Sequence, residues 1–453
     1  MSITNGEVSF WHHGLGGRPE ERAALESNIS KDVVIVGGGF TGLWTAYYLK
    51  KEDPSLNIAI VEANFCGFGA SGRNGGYVSA GISLAKDTDD GTRNSRLRAA
   101  VRDSITEVIS RINSEGIEAD QTHVGSLVTA NNQAQLKRLN SAPLVAGQKF
   151  LSAAETKERI NIPAVLGSIF ESSTYTVNPG KLVRQLADVV EKMGVEIYEN
   201  STVERVQNHI AYLKNGYQAQ ANVIVLATEG YTSSIEGYRR SRIPMNSSMI
   251  ATQVIPDEVW DEIGWKGREA LSEATHAVLY SQRTIDGRIA IGGRGYPYRF
   301  GSKTDSNGVT QQSTIASLTE ILNRWLPATR QLEIEHAWSG VLGVPRDWSA
   351  SVQYDKASGI AMAGGYVGSG VVVSNLSGRT LTELILGKKS ELVDHVWVNH
   401  QARNWEIEPL RFIGVHTMYK LYNLADDIER KHADRDKTSK IAQFANLITS
   451  KPF

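Results

Sequence analysis

Lys31-Asp32-Val33-Val34-Ile35-Val36-Gly37-Gly38-Gly39-Phe40-Thr41-Gly42 carries an apolar strand into a glycine turn, and an apolar helix follows. A second strand, Asn57-Ile58-Ala59-Ile60-Val61, ends on Glu62, about twenty residues past Gly42. Each part has its own physical task. Gly37 allows the tight turn, Gly39 lets backbone approach a pyrophosphate, and Gly42 lets helix and strand pack closely. The helix start offers unpaired N–H groups and a positive dipole end to phosphates. Glu62 is placed to accept hydrogen bonds from ribose hydroxyls and would repel a 2′-phosphate. A glycine triplet alone says little, but strand, turn, helix, strand and terminal acid together describe a dinucleotide-binding unit.

Outward from that unit, the chain's 453 residues exceed the size at which one core stops growing, so two domains are expected. With 41% hydrophobic and 21% charged residues it reads as a soluble globular protein. A net charge of −1 argues against nucleic acid or an anionic membrane as the main partner. Cys66 is the single cysteine, which excludes an internal disulfide and suits a reducing cytoplasm. Residues 1–30 show no apolar signal core, so no secretory leader is expected.

Phe65-Cys66-Gly67-Phe68-Gly69-Ala70-Ser71-Gly72-Arg73-Asn74-Gly75-Gly76 mixes aromatics with residues that fill little space. That composition suits backbone wrapped around a flat ligand better than a linker. Residues 95–115 have helical spacing, and Gly125–Ala130 reads as a strand. A second alternation follows: helix Lys181–Met193, strand Val195–Tyr198, and buried strand Asn222–Ala227, which returns to the first sheet. Alternating strands at Met249–Ile255, Ala277–Gln282 and Gly287–Gly293 predict an antiparallel sheet inserted in the first domain. Gly292-Gly293-Arg294-Gly295 opens no helix and is rejected as a nucleotide site. Gly359 to Gly370 repeats the opening logic, leading into a helix over Val371–Leu386. The expected division is 1–90, 175–240 and 335–395 for a discontinuous cofactor domain, 91–174 and 241–334 for a substrate domain, and 396–453 for a helical tail. An amphipathic helix is predicted near Pro409–Lys431; docking on the body of the protein is favoured over membrane association.

The dinucleotide fingerprint, Gly69–Gly76, Ala227–Gly230, and Gly364–Gly370 together resemble the D-amino-acid oxidase and glycine/sarcosine oxidase superfamily of FAD-dependent enzymes. Ser9-Phe10-Trp11, Gly67–Gly76 and Gln282–Arg288 resemble its gamma-glutamylputrescine oxidoreductase-like branch, and the likeness spans about residues 9–390. It implies an α/β fold, a glutathione-reductase-type Rossmann-like FAD domain carrying an antiparallel-sheet α+β substrate domain. Gly37, Gly39, Phe40, Thr41, Gly42, Glu62 and Ala63 would hold the ADP half of FAD. Gly69, Ala70, Ser71, Arg73, Asn74, Gly75 and Gly76 would line isoalloxazine and pyrophosphate, and Val203 would meet the adenine. Ala227, Thr228 and Gly365 join these contacts, while Gly368, Ser369, Gly370 and Val371 would sit at the flavin's pyrimidine edge. Two departures stand out: Glu229 is inserted in the Ala-Thr-Gly pattern, and no late Cys is available for covalent attachment. Arg73-Asn74 also stands where a flavin-linked His would be, so non-covalent FAD is expected, with Cys66 a packing residue.

The reaction implied is oxidation of a primary or secondary amine (an amino acid, polyamine derivative or aminophosphonate). Hydride passes to flavin N5, and the imine hydrolyses to a carbonyl compound. O2 or another acceptor then takes the electrons. Arg283 is the candidate anchor for a substrate carboxylate or phosphonate, the alternative being an Arg paired with Asp286 or another acid at a strand end; Arg294 is the runner-up, read rather as structural. Tyr366 and Trp338 are candidate pocket walls, and His336 could titrate near the site, a satisfied core His being the favoured reading. Tyr280, Tyr296 and Tyr298 are further aromatic candidates. His395 and His400 lack companions, so no metal is assigned. The alternatives are a flavin monooxygenase or halogenase-type enzyme, which needs a separate reductant, and a non-catalytic flavoprotein subunit.

Overall fold

The computed structural model describes residues 3–84, 92–293, 295–304 and 306–449; the runner-up anchor Arg294 lies outside them. Strand Ile29–Val36 is buried on both faces over Val33–Val36, as an interior strand of a parallel sheet requires. It pairs in parallel with Ile58–Val61 on one side and Gln218–Leu226 on the other. Glu196–Tyr198 extends the parallel run beyond Ile58–Val61, and Ile360–Gly364 extends it beyond Gln218–Leu226. Two hairpin strands, Val203–Gln207 and Ile210–Leu213, complete one edge, with Ser351–Asp355 on Ile360–Gly364.

Helix Phe40–Glu52 is buried on nearly every side because it lies between this sheet and helix Gly370–Ile385. Gly378 permits that approach: a Cβ there would stand 2.8 Å from the Trp44 Cβ and carbonyl carbon. Between the helices Asn375 Nδ2 donates to the Tyr48 hydroxyl at 2.9 Å. On the same core, helix Pro179–Lys192 starts with Pro and is capped by Asn178, which accepts the Lys181 N–H. Its apolar stripe, Leu182, Val183, Leu186 and Val190, is fully buried. Each such side chain contributes about 1.5–3 kcal/mol.

A nine-stranded sheet forms the second layer system, in the order 4–5, 334–344, 243–252, 289–293, 279–283, 270–273, 126–130, 167–171, 148–152. Its pairs are antiparallel except 4–5 with 334–344 and 270–273 with 126–130. Helix Gln312–Trp325 covers one face over a core that includes Trp265 and Trp325. The architecture is therefore the Rossmann-like α/β body with an inserted, mainly antiparallel α+β unit.

Two elements lie across the boundaries expected from sequence. Ile334–Val344 hydrogen-bonds along Ile243–Thr252 in the nine-stranded sheet. Helix Thr92–Ser114 packs on Gly370–Ile385 in the Rossmann-side core, which takes Leu97, Val101, Ile105 and Val108. Sheet register and the buried helix face place these segments, and neither is visible in local composition. Leu410–Lys431 and Lys440–Thr449 form the C-terminal helices. Among the described residues no helix is long and apolar enough to cross a membrane.

Candidate active site

The parallel strands end together, and their carboxyl ends open a groove lined by Val36, Val61 and Ala227. Gly37, φ 112°, turns the chain there; a Cβ would lie 2.7 Å from the Ala227 carbonyl oxygen. Gly39 begins helix Phe40–Glu52 with no side-chain cap, so the helix start faces the groove. Gly42 lies beneath it, where a Cβ would meet the Gly37 oxygen at 2.1 Å. Glu62 closes the next strand: its two oxygens accept the Gly38 N–H at 2.7 Å and the Asn64 N–H at 2.9 Å. Each oxygen retains a lone pair for a hydroxyl donor. Burial pushes the Glu62 carboxyl up from its ordinary range.

The glycine-rich loop folds over the same groove. Ser71 Oγ accepts the Phe40 N–H at 2.9 Å. Asn74 shapes the loop from within: Nδ2 donates to the Ala70 and Ser71 carbonyls at 3.1 and 2.7 Å, and Oδ1 accepts the Gly76 N–H at 2.8 Å. Arg73 is buried, stacked over Phe68, and donates to the carbonyls of Phe68, Ser339 and Glu7. Trp11 Nε1 and Trp338 Nε1 pin the loop from behind, donating to the Asn74 and Arg73 carbonyls, both at 2.9 Å.

The late glycine cluster supplies the opposite wall. Gly368, Gly370 and Val371 line the groove at the uncapped start of helix Gly370–Ile385. Tyr366 also lines it, its hydroxyl 2.9 Å from Thr41 Oγ1, and burial raises its phenol well above the usual range. Glu229, the residue inserted between Thr228 and Gly230, accepts the N–H groups of Gly365 and Tyr366 at 2.9 and 3.2 Å. That acid therefore clamps the late glycine turn to the end of Gln218–Leu226. Sequence alone offered no sign of the clamp, because its partners are backbone groups more than a hundred residues away.

Most of the expected cofactor residues meet at the groove: Gly37, Gly39, Phe40, Thr41, Glu62, Ala63, Gly69, Ala70, Ser71, Asn74, Val203, Ala227, Thr228, Gly368, Gly370 and Val371. Gly42, Gly76 and Gly365 stand behind the wall, where an added Cβ would meet backbone oxygen at 2.1, 2.2 and 2.8 Å. Arg73, Gly75 and Ser369 face an adjoining cavity of about 390 Å³, a volume suited to a small ligand. Tyr77, Tyr280 and Glu273 line it as well.

Three expected catalytic residues are elsewhere. Arg283 lies 3.9 Å over the Trp260 ring and donates to the Trp265 carbonyl at 2.9 Å, so its guanidinium serves the nine-stranded unit. Trp338 is fully buried and acts on the loop carbonyl, not as a cavity wall. His336 packs against Phe10 and His13 on the far side of that loop. Burial, then the His13 and Arg288 charges, lower its pKa to about 4, so it stays neutral near pH 7. Tyr298 bonds Glu408 beneath the C-terminal helix. Cys66 is buried behind Gly38, where a Cβ would come within 2.5 Å of the sulfur, and burial pushes its thiol up.

His276, Asp426 and Glu429 come together although 150 residues separate them in sequence. They form a bonded net: Asp426 accepts the His276 and Ala277 N–H groups, and Glu429 meets His276, Arg138 and Ser439. The net docks the C-terminal helix on the turn after Ala270–Glu273.

Residues 32–384 match the family model for FAD-dependent oxidoreductases of the DAO type. A probable oxidoreductase, OrdL, of Rhizobium meliloti (strain 1021) is 26% identical over 80% of this chain and 84% of its own. The gamma-glutamylputrescine oxidoreductase of Escherichia coli (strain K12) is 25% identical over 80% of this chain and 85% of its own. The crystal structure of glycine oxidase from Geobacillus kaustophilus shares the fold, with a TM-score of 0.66 at 19% identity, over 82% of this chain and 99% of that one. A strand–turn–helix that presents backbone donors at a sheet end, and a family model spanning most of the chain, lead to one assignment: this chain belongs to the FAD-dependent oxidoreductase (DAO) family.

Proposed function

We propose that the protein oxidises the C–N bond of a primary or secondary amine, with FAD held non-covalently in the groove. The observation that carries the reading is the meeting of two helix starts, after Gly39 and after Ser369, on one groove that opens beside a small cavity. When bound, FAD supplies the acceptor for the hydride released from the carbon bearing the amine. The start of helix Phe40–Glu52 would meet the diphosphate, with Gly37 and Gly39 leaving the room that side chains would occupy. Glu62 would take the ribose hydroxyls on its remaining lone pairs. Val203 would lie against the adenine. The start of helix Gly370–Ile385, with Gly368, would stabilise negative charge at the pyrimidine edge of the ring. Cys66 lies outside the groove lining, which supports a cofactor without a covalent link.

The cavity bounded by Ala70, Gly75, Tyr280 and Ser369 would hold the amine against the ring. Its work is orientation, since a reacting C–H must be held about 3–3.5 Å from its acceptor. Gly75 narrows that space: a Cβ there would stand 2.8 Å from the Tyr280 ring. The gamma-glutamylputrescine oxidoreductase and glycine oxidase among the similar proteins carry names of amine-bearing compounds, which supports an amine substrate. Anaerobic mixing of the yellow holoprotein with a panel of amines tests this. Bleaching near 450 nm by one class of amine is the expected outcome. A flavin reduced only by NAD(P)H or a reductase, or by nothing at all, overturns it. Peroxide on readmission of air would identify O2 as acceptor.

A further inference from the structure

Thr304 lines the groove, and among the described residues its hydroxyl has no hydrogen-bond partner. Its donor and its lone pairs are therefore open to whatever fills the groove. The residue lies in the connection between strand Ile289–Gly293 and helix Gln312–Trp325, where no ladder holds the backbone. Such a residue keeps a fixed place only if the chain beside it is tied down. Before Thr304 the ties run to the C-terminal segment. Glu408 Oε1 accepts the Tyr298 hydroxyl at 2.6 Å and the Gly301 N–H at 2.9 Å. His416 Nε2 lies 2.7 Å from the Tyr298 carbonyl oxygen. Beyond Thr304 the ties run to the body of the protein instead. The Ser339 N–H donates to the Gly308 carbonyl at 2.7 Å, and Thr310 exchanges two backbone hydrogen bonds with the Asn5 side chain, both at 2.8 Å.

Glu408 and His416 lie past residue 384, where the family match ends. Glu408 stands just before helix Leu410–Lys431, and Arg411 Nε at 3.0 Å balances its charge. Its second oxygen accepts the Phe412 N–H at 3.3 Å. The C-terminal segment is docked by other contacts. Trp405 Nε1 donates to the Val344 carbonyl at 2.7 Å, and Arg346 Nε reaches both oxygens of Glu406 at 3.0 Å. Farther along, Asp426 accepts the His276 and Ala277 N–H groups. What the Glu408 carboxylate adds is a grip on the turn just before Thr304, through charge-assisted bonds roughly twice as strong as neutral ones.

We propose that Thr304 is a further FAD-binding residue and that Glu408 is its positioning residue, so that the C-terminal segment completes the cofactor site. The inference rests on FAD filling the groove and is independent of the compound that is oxidised. Thr304 hydrogen-bonds the cofactor, and Glu408 fixes the backbone that carries it.

The test is the rate at which FAD leaves the loaded protein on dilution, read as the recovery of flavin fluorescence. Thr304→Val and Glu408→Ala should each speed release about three- to tenfold. The double variant should release FAD no more than about twofold faster than the quicker single one, since both changes remove the same contact. Glu408→Gln keeps an acceptor for Tyr298 and Gly301 and should restore most of the original rate. Asp426→Asn loosens the same helix at its far end and should leave release within about twofold. Melting temperatures of the FAD-free variants report folding. Should Glu408→Ala not fold, Tyr298→Phe removes one of the same ties and should speed release about twofold or more. Unchanged release in Thr304→Val overturns the contact. Unchanged release in Glu408→Ala or Tyr298→Phe, effects that multiply in the double variant, or equal acceleration by Asp426→Asn each overturn the positioning role. A protein that takes up no FAD overturns the cofactor reading of the groove and this inference with it.

Discussion

Gly39 and Gly42, three residues apart, are both fingerprint glycines, but the space around them differs in kind. An added Cβ at Gly39 would meet the movable Ser71 hydroxyl at 2.9 Å, whereas at Gly42 it would meet the Gly37 carbonyl at 2.1 Å and Ile35 Cγ2 at 3.1 Å. Gly39→Ala is therefore expected to leave the melting temperature of the FAD-free protein within about 2 °C while weakening FAD affinity at least tenfold. Gly42→Ala should destabilise the FAD-free protein by about 1–3 kcal/mol, the usual cost of forcing a methyl into packed backbone. Thermal melts with and without FAD, and FAD titration by fluorescence quenching, check both. Identical behaviour of the two variants would show that the groove does not hold the diphosphate at Gly39. Glu229 belongs to the same scale. Read as a sequence it is an interruption of a pattern; folded, it satisfies the Gly365 and Tyr366 N–H groups.

At the scale of elements, the segment after helix Gly370–Ile385 is fastened by an ion pair that titrates. His400 Nε2 lies 2.6 Å from Asp347 Oδ2, and Gln353 Nε2 donates to the His400 carbonyl. The Asp347 hydrogen bond raises the His400 pKa despite burial. Burial alone would raise the Asp347 carboxyl, but the hydrogen bonds from His400 and the Ser349 N–H outweigh it and hold it low. The signs follow from linkage. The His400 contribution is complete below its unfolded pKa of about 6.5 and is lost as pH rises through the higher folded value. The Asp347 contribution is complete above about 3.9 and is lost as pH falls through the lower folded value. Stabilisation is thus greatest between about pH 4 and 6.5. Asp347→Asn should cost up to about 1 kcal/mol at pH 6 and less at pH 9, since both groups are partly exposed. Denaturant melts at the two pH values measure this, and a loss that grows with pH would refute the pairing.

Across the whole molecule, the groove draws its lining from both units: Val36, Val61 and Ala227 from the parallel strands, Val341 and Leu342 from the nine-stranded sheet. FAD bound there would join the two cores. It should raise the unfolding free energy by about 2.7 kcal/mol at a hundredfold excess over its Kd. Tryptophan signals from the Rossmann-side core, where Trp44 lies, and from the inserted unit, where Trp265 and Trp325 lie, should then melt together. A melting temperature indifferent to FAD concentration would contradict the shared groove.

Much of this molecule is legible along the chain. The parallel strands, the fingerprint turn, helix Pro179–Lys192 and the late strand–turn–helix each carry a local signal in glycine placement or apolar period, and each sits within a few residues of its expected bounds. The residues gathered at the groove follow from them, because a glycine turn at a strand end must face outward from the sheet. What the sequence could not determine is where long side chains point once sheets pair. Arg283 occupies a strand adjoining the cavity region, yet turns onto Trp260 and the Trp265 carbonyl. Trp338 and His336 fall two apart on one strand, so they share the face behind the loop, away from the groove. Glu273 looks in sequence like an ordinary strand-end acid and becomes a buried cavity residue only through pairing with 126–130 and the approach of Gln135. Local pattern decides which elements form, since propensity and period act over a few residues. Which charge ends in which cavity is decided by register and packing between segments far apart in the chain, and that is tertiary information alone.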